Sequence, residues 1–113
     1  MKLDKIKIFA KDMRRNIIFT AYKAGSKSAH IGGALSVTDI IAVLYSDIMN
    51  IKKKKYLDDD RDRFILSKGH ACLAYYSALC EVGYISKDEL LTFEKDNSNL
   101  LGHPVRNKDL GIE

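Results

Sequence analysis

The chain has 113 residues, of which 46% are hydrophobic and 30% are charged, and its formal net charge at pH 7 is +4. This composition is typical of one globular domain and excludes a disordered segment. No apolar run approaches the ~18 residues of a membrane span, and the first residues do not form a signal peptide, so we expect a cytoplasmic protein. The basic run at residues 52–55 is followed at once by the acidic run at 58–60, which favours a solvated loop over a nucleic-acid surface.

The first predicted element is a helix over residues 3–24. Its apolar residues recur at steps of three and four and therefore share one face. These residues are Leu3, Ile6, Ala10, Met13, Ile17, Ala21 and Ala24. Gly25 is a suitable C-cap. Ile8, Ile18, Phe19 and Tyr22 lie away from this stripe, so the second half of the helix is apolar on more than one side.

A loop rich in small residues is predicted over 26–36, and a second helix is predicted from Ser36 to about Met49. Asp39 stands three residues after Ser36, which resembles a capping box. Leu35 and Ile40 could form a hydrophobic staple across this helix start. The apolar run at 40–45 predicts a helix that is covered on most sides.

The only predicted strand runs from Phe64 to Ser67, because a short and fully apolar strand is expected in a parallel sheet covered on both faces. A buried third helix is predicted from His70 to Val82, ending at Gly83. The pair Ser86 and Glu89 predicts a short fourth helix to about Phe93.

The chain has two cysteines, Cys72 and Cys80, which lie about two turns apart on the third predicted helix. That rise, ~12 Å, is too long for a disulfide. Both cysteines stand among apolar residues, so we expect buried core side chains, not a redox or metal motif.

One strand cannot form a sheet, yet two of the predicted helices and the strand are apolar on all sides. We therefore expect this chain to pack against other polypeptide or to be the front part of a larger α/β domain.

Each of the three histidines, His30, His70 and His103, has a glycine within two positions and lies in a loop or at a loop–helix junction. His70 follows Gly69 at a predicted helix start, where backbone N–H groups and the helix dipole favour a phosphate or diphosphate. Glycine allows such a ligand to approach the backbone. An ordinary turn and a three-histidine zinc site are the alternatives, although the wide spacings match no local metal motif.

Three segments of the chain, in order, resemble the start of transketolases, in particular the separate N-terminal subunit that some bacteria and archaea make. The first, "KSAHIGGALSVTDIIAVLY", is similar to the family's Ser-Gly-His-x-Gly loop and the helix that follows. The second, "DRDRFILSKGHACLAYYSALCEVGY", is similar to its Arg-Asp-Arg-Phe strand and Gly-His turn. The third, "LLGHPVRNKDLGIE", is similar to its Gly-His-Pro loop.

The resemblance implies an enzyme that uses thiamine diphosphate and magnesium to transfer a two-carbon ketol unit from a ketose phosphate to an aldose phosphate. It implies that His70 and Gly69 contact the cofactor's diphosphate. It also implies that His30 and His103 are catalytic residues that bind substrate hydroxyls and assist proton transfer. The full domain would be an α/β thiamine diphosphate-binding fold, a parallel sheet covered by helices, and this piece would be mainly α-helical with one strand.

The chain departs from the family pattern in two places. Ala29 stands where the family usually has glycine, and the chain stops before the family's Gly-Asp-Gly metal motif. We therefore expect residues 1–113 to be a single partial domain, a truncated product or one piece of a split enzyme. It would contain no magnesium ligands and would be inactive when isolated.

The partner implied by the resemblance is the missing remainder of the domain or a C-terminal transketolase subunit, within an oligomer, with a sugar phosphate as substrate. No nucleic acid or membrane partner is expected. Two alternatives remain open. Instead of a transketolase N-terminal subunit, the chain would be a non-catalytic remnant or assembly module of this fold, or a transketolase-like enzyme of a special sugar or polysaccharide pathway.

Overall fold

The computed structural model describes residues 2–25, 31–51 and 60–113. Within these ranges the helices are α1 (Lys2–Ala24), α2 (Ile31–Val43), α3 (Cys72–Glu81) and α4 (Lys87–Leu90). A π-helical turn, Leu44–Ile48, continues α2, and 3-10 turns lie at Gly69–Ala71 and Lys108–Leu110. Helices α1, α2 and α3 pack against one another around one core.

The prediction for α1 is confirmed at both ends. Met13 and Ile17 on the predicted stripe are fully buried. The helix ends at Gly25, which has φ +94° and donates its N–H to the carbonyl of Ala21 over 3.1 Å. The second apolar face is exposed, with Tyr22 at 79% exposure.

The predicted start of α2 at Ser36 is wrong, because the helix already begins at Ile31. Glycines at 32 and 33 lower helix propensity, but tertiary packing overrides it, with Ala34 fully buried. Ser36 does not cap the helix. Its hydroxyl donates to the carbonyl of Gly33 over 2.8 Å. The predicted hydrophobic staple between Leu35 and Ile40 is also wrong, since Ile40 is 64% exposed.

The segment Ile31–Ile48 has 18 residues and a mean hydropathy of 1.5, which is long and apolar enough to cross a membrane by length and composition alone. No run of this kind was expected from the sequence. Core helices of globular proteins pass the same test. Its two aspartates pair with α1, Asp39 with Arg14 at 2.8 Å and Asp47 with Lys2 at 3.3 Å.

The predicted strand from Phe64 to Ser67 is wrong, because the described ranges contain no strand and this segment is irregular. A strand requires a neighbour for its backbone hydrogen bonds, and Ile65 is 74% exposed. The backbone pairing found in the described part of the chain is an isolated antiparallel bridge between Asn107 and Ile112. Phe64 instead packs edge-on against Tyr75, with ring centroids 5.1 Å apart.

Helix α3 is the centre of the core, and each residue from Cys72 to Leu79 is buried. The predicted start at His70 is two residues too early, because a 3-10 turn precedes the α-helix. Its end is as predicted. Gly83 has φ +86°, and the N–H groups of Gly83 and Tyr84 donate to the carbonyls of Cys80 and Leu79 over 3.1 and 2.9 Å. This pair of bonds is a Schellman motif. Both cysteines are free thiols.

The N-cap of α4 is confirmed, because the N–H of Glu89 donates to the hydroxyl of Ser86 over 3.0 Å. The helix ends at Leu90, earlier than predicted, and continues as turns. Phe93 beyond it is still buried and packs edge-on against Tyr76 at 5.9 Å.

Gly83→Ala is expected to lower the free energy of unfolding by about 1–2 kcal/mol, because its positive φ crowds a Cβ atom. Gly32→Ala is the matched control. Its φ is not positive, and a Cβ there meets nothing within 4 Å, so this change should be neutral or stabilising. Urea unfolding measures both. Equal losses of stability would contradict the assignment of strain to Gly83.

The last residues fold back onto the base of α3. The guanidinium of Arg61 forms an ion pair with the carboxylate of Glu113, and both side chains are buried, at 5% and 7% exposure. The Tyr75 hydroxyl lies 3.1 and 3.2 Å from the carbonyls of Phe64 and Gly111 and accepts the N–H of Glu113 over 3.2 Å. These contacts hold the last residues of the chain against Arg61 and against Tyr75 of α3.

Candidate functional site

His70 lies at the meeting point of α2 and α3. It belongs to the 3-10 turn before α3 and is exposed. Its ring stands over Gly33 of α2. A Cβ atom on Gly33 would lie 2.8 Å from Cδ2 and 3.2 Å from Nε2 of His70. Since 2.8 Å is closer than real Cβ contacts, only glycine at position 33 allows the ring this place.

His103 stands beside the same turn. A Cβ atom on Gly69 would lie 3.1 Å from Cδ2 of His103, so the His103 ring covers the residue next to His70. Two histidines that are far apart in the sequence are therefore neighbours in the fold. His30, the third predicted site residue, lies outside the described residues, as does Ala29.

The loop that carries His103 is tied to α3 by side chains. The thiol of Cys72 donates to the carbonyl of Gly102 over 3.0 Å, and the hydroxyl of Tyr76 donates to the carbonyl of Leu101 over 2.7 Å. The carboxylate of Glu94 occupies the place that a Cβ atom on Gly102 would need.

Lys68 lies beside His70 and Gly33 and is a candidate site residue that the sequence reasoning missed. Its Nζ donates to the hydroxyl of Ser36 over 3.1 Å, and its Cε lies 3.5 Å from the Cβ position of Gly33. The signal was available in the sequence, because a cation directly before Gly69 and His70 suits an anion site. Gly33 was also missed, although it belongs to a Gly-Gly pair.

The start of α3 is suited to an anion. Its N-cap residue, Ala71, makes no side-chain capping bond, and neither does Lys68 at the start of the 3-10 turn. The positive end of the α3 dipole lies at the turn that follows Lys68 and contains the exposed His70.

The cysteines do not offer a nucleophile at this site. Burial, together with the nearby Glu94 carboxylate, raises the pKa of the Cys72 thiol to about 12. Burial also raises the pKa of Cys80. A thiol reacts as its thiolate, so neither is activated near neutral pH.

Within the described ranges, no group of three or more histidine, cysteine, aspartate or glutamate side chains is arranged to hold a metal ion. The three-histidine zinc alternative includes His30, which lies outside those ranges, and it stays untested.

Comparison with known proteins finds relatives along most of the chain. The chain is 38% identical to an apulose-4-phosphate transketolase subunit of Actinobacillus succinogenes, over 100% of the chain and 41% of that protein. It is 36% identical to the subunit of the same name from Phocaeicola vulgatus, over 93% of the chain and 37% of that protein. It is 38% identical to the transketolase of Homo sapiens, over 92% of the chain and 16% of that protein.

The chain thus spans about two-fifths of the length of the two apulose-4-phosphate transketolase subunits that it matches. Residues 9–113 match the family described as transketolase, thiamine diphosphate binding domain. That match contains Gly33, the turn with His70 and the loop with His103. The chain belongs to the transketolase thiamine diphosphate-binding domain family.

Proposed function

We propose that this chain forms part of the cofactor and substrate site of a transketolase, which transfers a two-carbon ketol unit from a ketose phosphate to an aldose phosphate. The observation that carries the proposal is the placement of the His70 ring over Gly33 and of the His103 ring over Gly69, inside the segment that matches the family. As an isolated polypeptide the chain is expected to be inactive.

The residues present fit thiamine diphosphate. Gly33 and Gly69 make room for the rings of His70 and His103, and the start of α3 has no side-chain cap. Lys68 adds a positive charge that is only partly exposed. An anion such as a diphosphate is favoured by this combination of helix dipole, cation and glycine.

In this proposal His70 and Gly69 contact the diphosphate, His70 by its ring nitrogen and Gly69 on the side of the turn that the His103 ring does not cover. When bound, thiamine diphosphate supplies the carbon nucleophile that carries the ketol unit. His103 and His30 bind substrate hydroxyls and transfer protons at those oxygens, work that suits an imidazole near neutral pH.

The rest of the site would come from other polypeptide. We propose that residues 1–113 form one partial domain of an α/β fold, that other polypeptide supplies strands of its parallel sheet, and that Mg²⁺ is bound by ligands supplied there. Exposed apolar side chains support a covering partner. They include Ile8, Ile18, Tyr22, Ile40, Ile48, Ile65 and Val105. A C-terminal transketolase subunit fits this role, because two relatives are themselves named as subunits of a transketolase.

A second candidate is a transketolase of a special sugar pathway. The names of the two relatives from A. succinogenes and P. vulgatus, which refer to apulose 4-phosphate, favour it over a non-catalytic remnant. The two readings differ in sugar specificity and share the same cofactor chemistry.

The proposal is tested with a hybrid enzyme, in which this chain replaces the matching segment of the A. succinogenes relative and is assayed with that enzyme's other components. We expect ketol transfer that depends on added thiamine diphosphate. The donor and acceptor sugars that the hybrid accepts decide between the two readings.

The control is the same hybrid with His70→Ala and His103→Ala combined, which should fold and lack transfer. Calorimetric titration of the isolated 113-residue chain with thiamine diphosphate and Mg²⁺ should show negligible heat. A folded hybrid that is inactive with every sugar pair would refute the proposal and support a non-catalytic remnant.

A further inference from the structure

The loop around His103 comes from a distant part of the sequence, so contacts with the rest of the fold have to fix its position beside Gly69. The ring of His103 lies over Gly69, yet the two residues before it, Leu101 and Gly102, belong to a segment without helix or strand. Such a segment has no hydrogen-bonding ladder of its own to fix the direction of the ring.

We infer that Cys72 and Tyr76 are positioning residues for His103, which they fix through hydrogen bonds to the two carbonyl groups directly before it. The Cys72 thiol donates to Gly102 over 3.0 Å, and the Tyr76 hydroxyl donates to Leu101 over 2.7 Å. As a statement about catalysis this inference rests on the proposed function. The anchoring itself does not.

The two donors are well placed for this task because they lie one helical turn apart on α3, at i and i+4. Both side chains belong to a helix that is buried throughout, with Cys72 at 2% and Tyr76 at 0% exposure. Their positions are therefore fixed by the core. The hydrogen bonds from these two side chains to the carbonyl groups of Leu101 and Gly102 therefore hold the His103 loop in a fixed position on α3.

Both donors keep their protons under ordinary conditions. Burial raises the pKa of the Cys72 thiol to about 12 and raises that of the Tyr76 hydroxyl as well. A thiolate or phenolate could only accept hydrogen bonds and would repel the carbonyl oxygens. The anchors therefore hold across the neutral and mildly alkaline range.

A second tyrosine and cysteine on the same helix, Tyr75 and Cys80, offer matched controls. The Tyr75 hydroxyl contacts the carbonyls of Phe64 and Gly111, not the His103 loop. Cys80 lies on the following turns of α3 and is only partly buried. Tyr75→Phe and Cys80→Ala thus remove the same chemical groups from the same helix without touching the two anchors.

The test is an NMR experiment on the 113-residue chain. An Hα proton of Gly69 faces the ring of His103, and one of Gly33 faces the ring of His70. Each pair should give a nuclear Overhauser cross-peak, one reporting the anchored loop and the other serving as an internal reference. Hydrogen exchange at the amide of Leu100, which donates to the Ser98 hydroxyl over 3.0 Å, gives a second readout.

Cys72→Ala and Tyr76→Phe should each raise the rate of amide hydrogen exchange at Leu100 about fivefold. This factor corresponds to the loss of one neutral hydrogen bond that holds the loop closed. The double variant should weaken the His103–Gly69 cross-peak and leave the His70–Gly33 cross-peak intact. Cys72→Ser, which keeps a donor, should restore wild-type behaviour. Tyr75→Phe and Cys80→Ala should leave both cross-peaks unchanged.

The inference is overturned if the double variant keeps the His103–Gly69 cross-peak, or if both cross-peaks weaken together, which would indicate a general loosening of the core. If the double variant does not fold, the exchange rates of the single variants decide. Because no measurement uses the cofactor, an inactive hybrid enzyme would count against the proposed function and leave the anchoring intact.

Discussion

His103→Ala in the hybrid enzyme is expected to lower kcat by about 100- to 10,000-fold, the usual contribution of a positioned proton-transfer group. The affinity for thiamine diphosphate should change little, because the ring of His103 lies against Gly69 and we assign the diphosphate contact to His70. Steady-state kinetics with varied cofactor and varied donor sugar separate the two effects.

His70→Ala is the matched control for this experiment and should give the opposite pattern. It removes a donor at the start of α3 and should raise the Kd for thiamine diphosphate, with kcat at saturating cofactor less affected. If His103→Ala weakened cofactor binding while His70→Ala reduced only turnover, the two role assignments would have to be exchanged.

Glu113→Ala should destabilise the chain by about 3–5 kcal/mol, the cost of leaving one partner of a buried ion pair without the other. Arg61 would keep a buried guanidinium beneath Tyr84, whose ring centroid lies 5.9 Å away. Glu113→Gln keeps an acceptor and should cost less. Urea denaturation followed by circular dichroism gives the free energies.

Arg63→Ala is the control for the ion pair. Its Nε lies 3.7 Å from the same Glu113 carboxylate, but its side chain is 43% exposed. Exposed pairs contribute about 0–1 kcal/mol, so this variant should be close to wild type. A loss as large as that of Glu113→Ala would show that burial of the Arg61 pair is not what stabilises the end of the chain.

The sequence was sufficient for elements whose signals are local. The stripe on α1 repeats over six turns, and glycines at 25 and 83 mark helix ends because their positive φ is required there. The Ser86 cap is equally local. It needs one side chain and one backbone N–H three residues away.

Elements that depend on distant contacts were not predictable in the same way. Phe64 to Ser67 has strand composition, but a strand also needs a paired neighbour, and the described ranges provide none. The start of α2 was missed because Gly32 and Gly33 resemble a loop. Glycine at position 33 makes room for the His70 ring, and no local sequence pattern reveals that contact.

The sequence indicated which types of residue belong to the candidate site, but it did not indicate how these residues are arranged in space. Glycine beside histidine indicated His70 and His103 as site residues, and the family resemblance suggested their roles. The position of the His103 ring over Gly69, and the bonds from Cys72 and Tyr76, depend on how the loop returns to α3. Those bonds join residues 25 to 30 positions apart, beyond the range of periodicity.

The hydroxyl of Tyr75 has a consequence for the order of events during synthesis. Its contact with the N–H of Glu113 spans 38 residues of sequence. At ~5–20 residues per second, α3 leaves the ribosome roughly 2 to 8 s before Glu113 follows. For that time the Tyr75 hydroxyl has neither the carbonyl of Gly111 nor the N–H of Glu113 beside it, so residues 111–113 dock on α3 after α1 and α2 are available to pack against it.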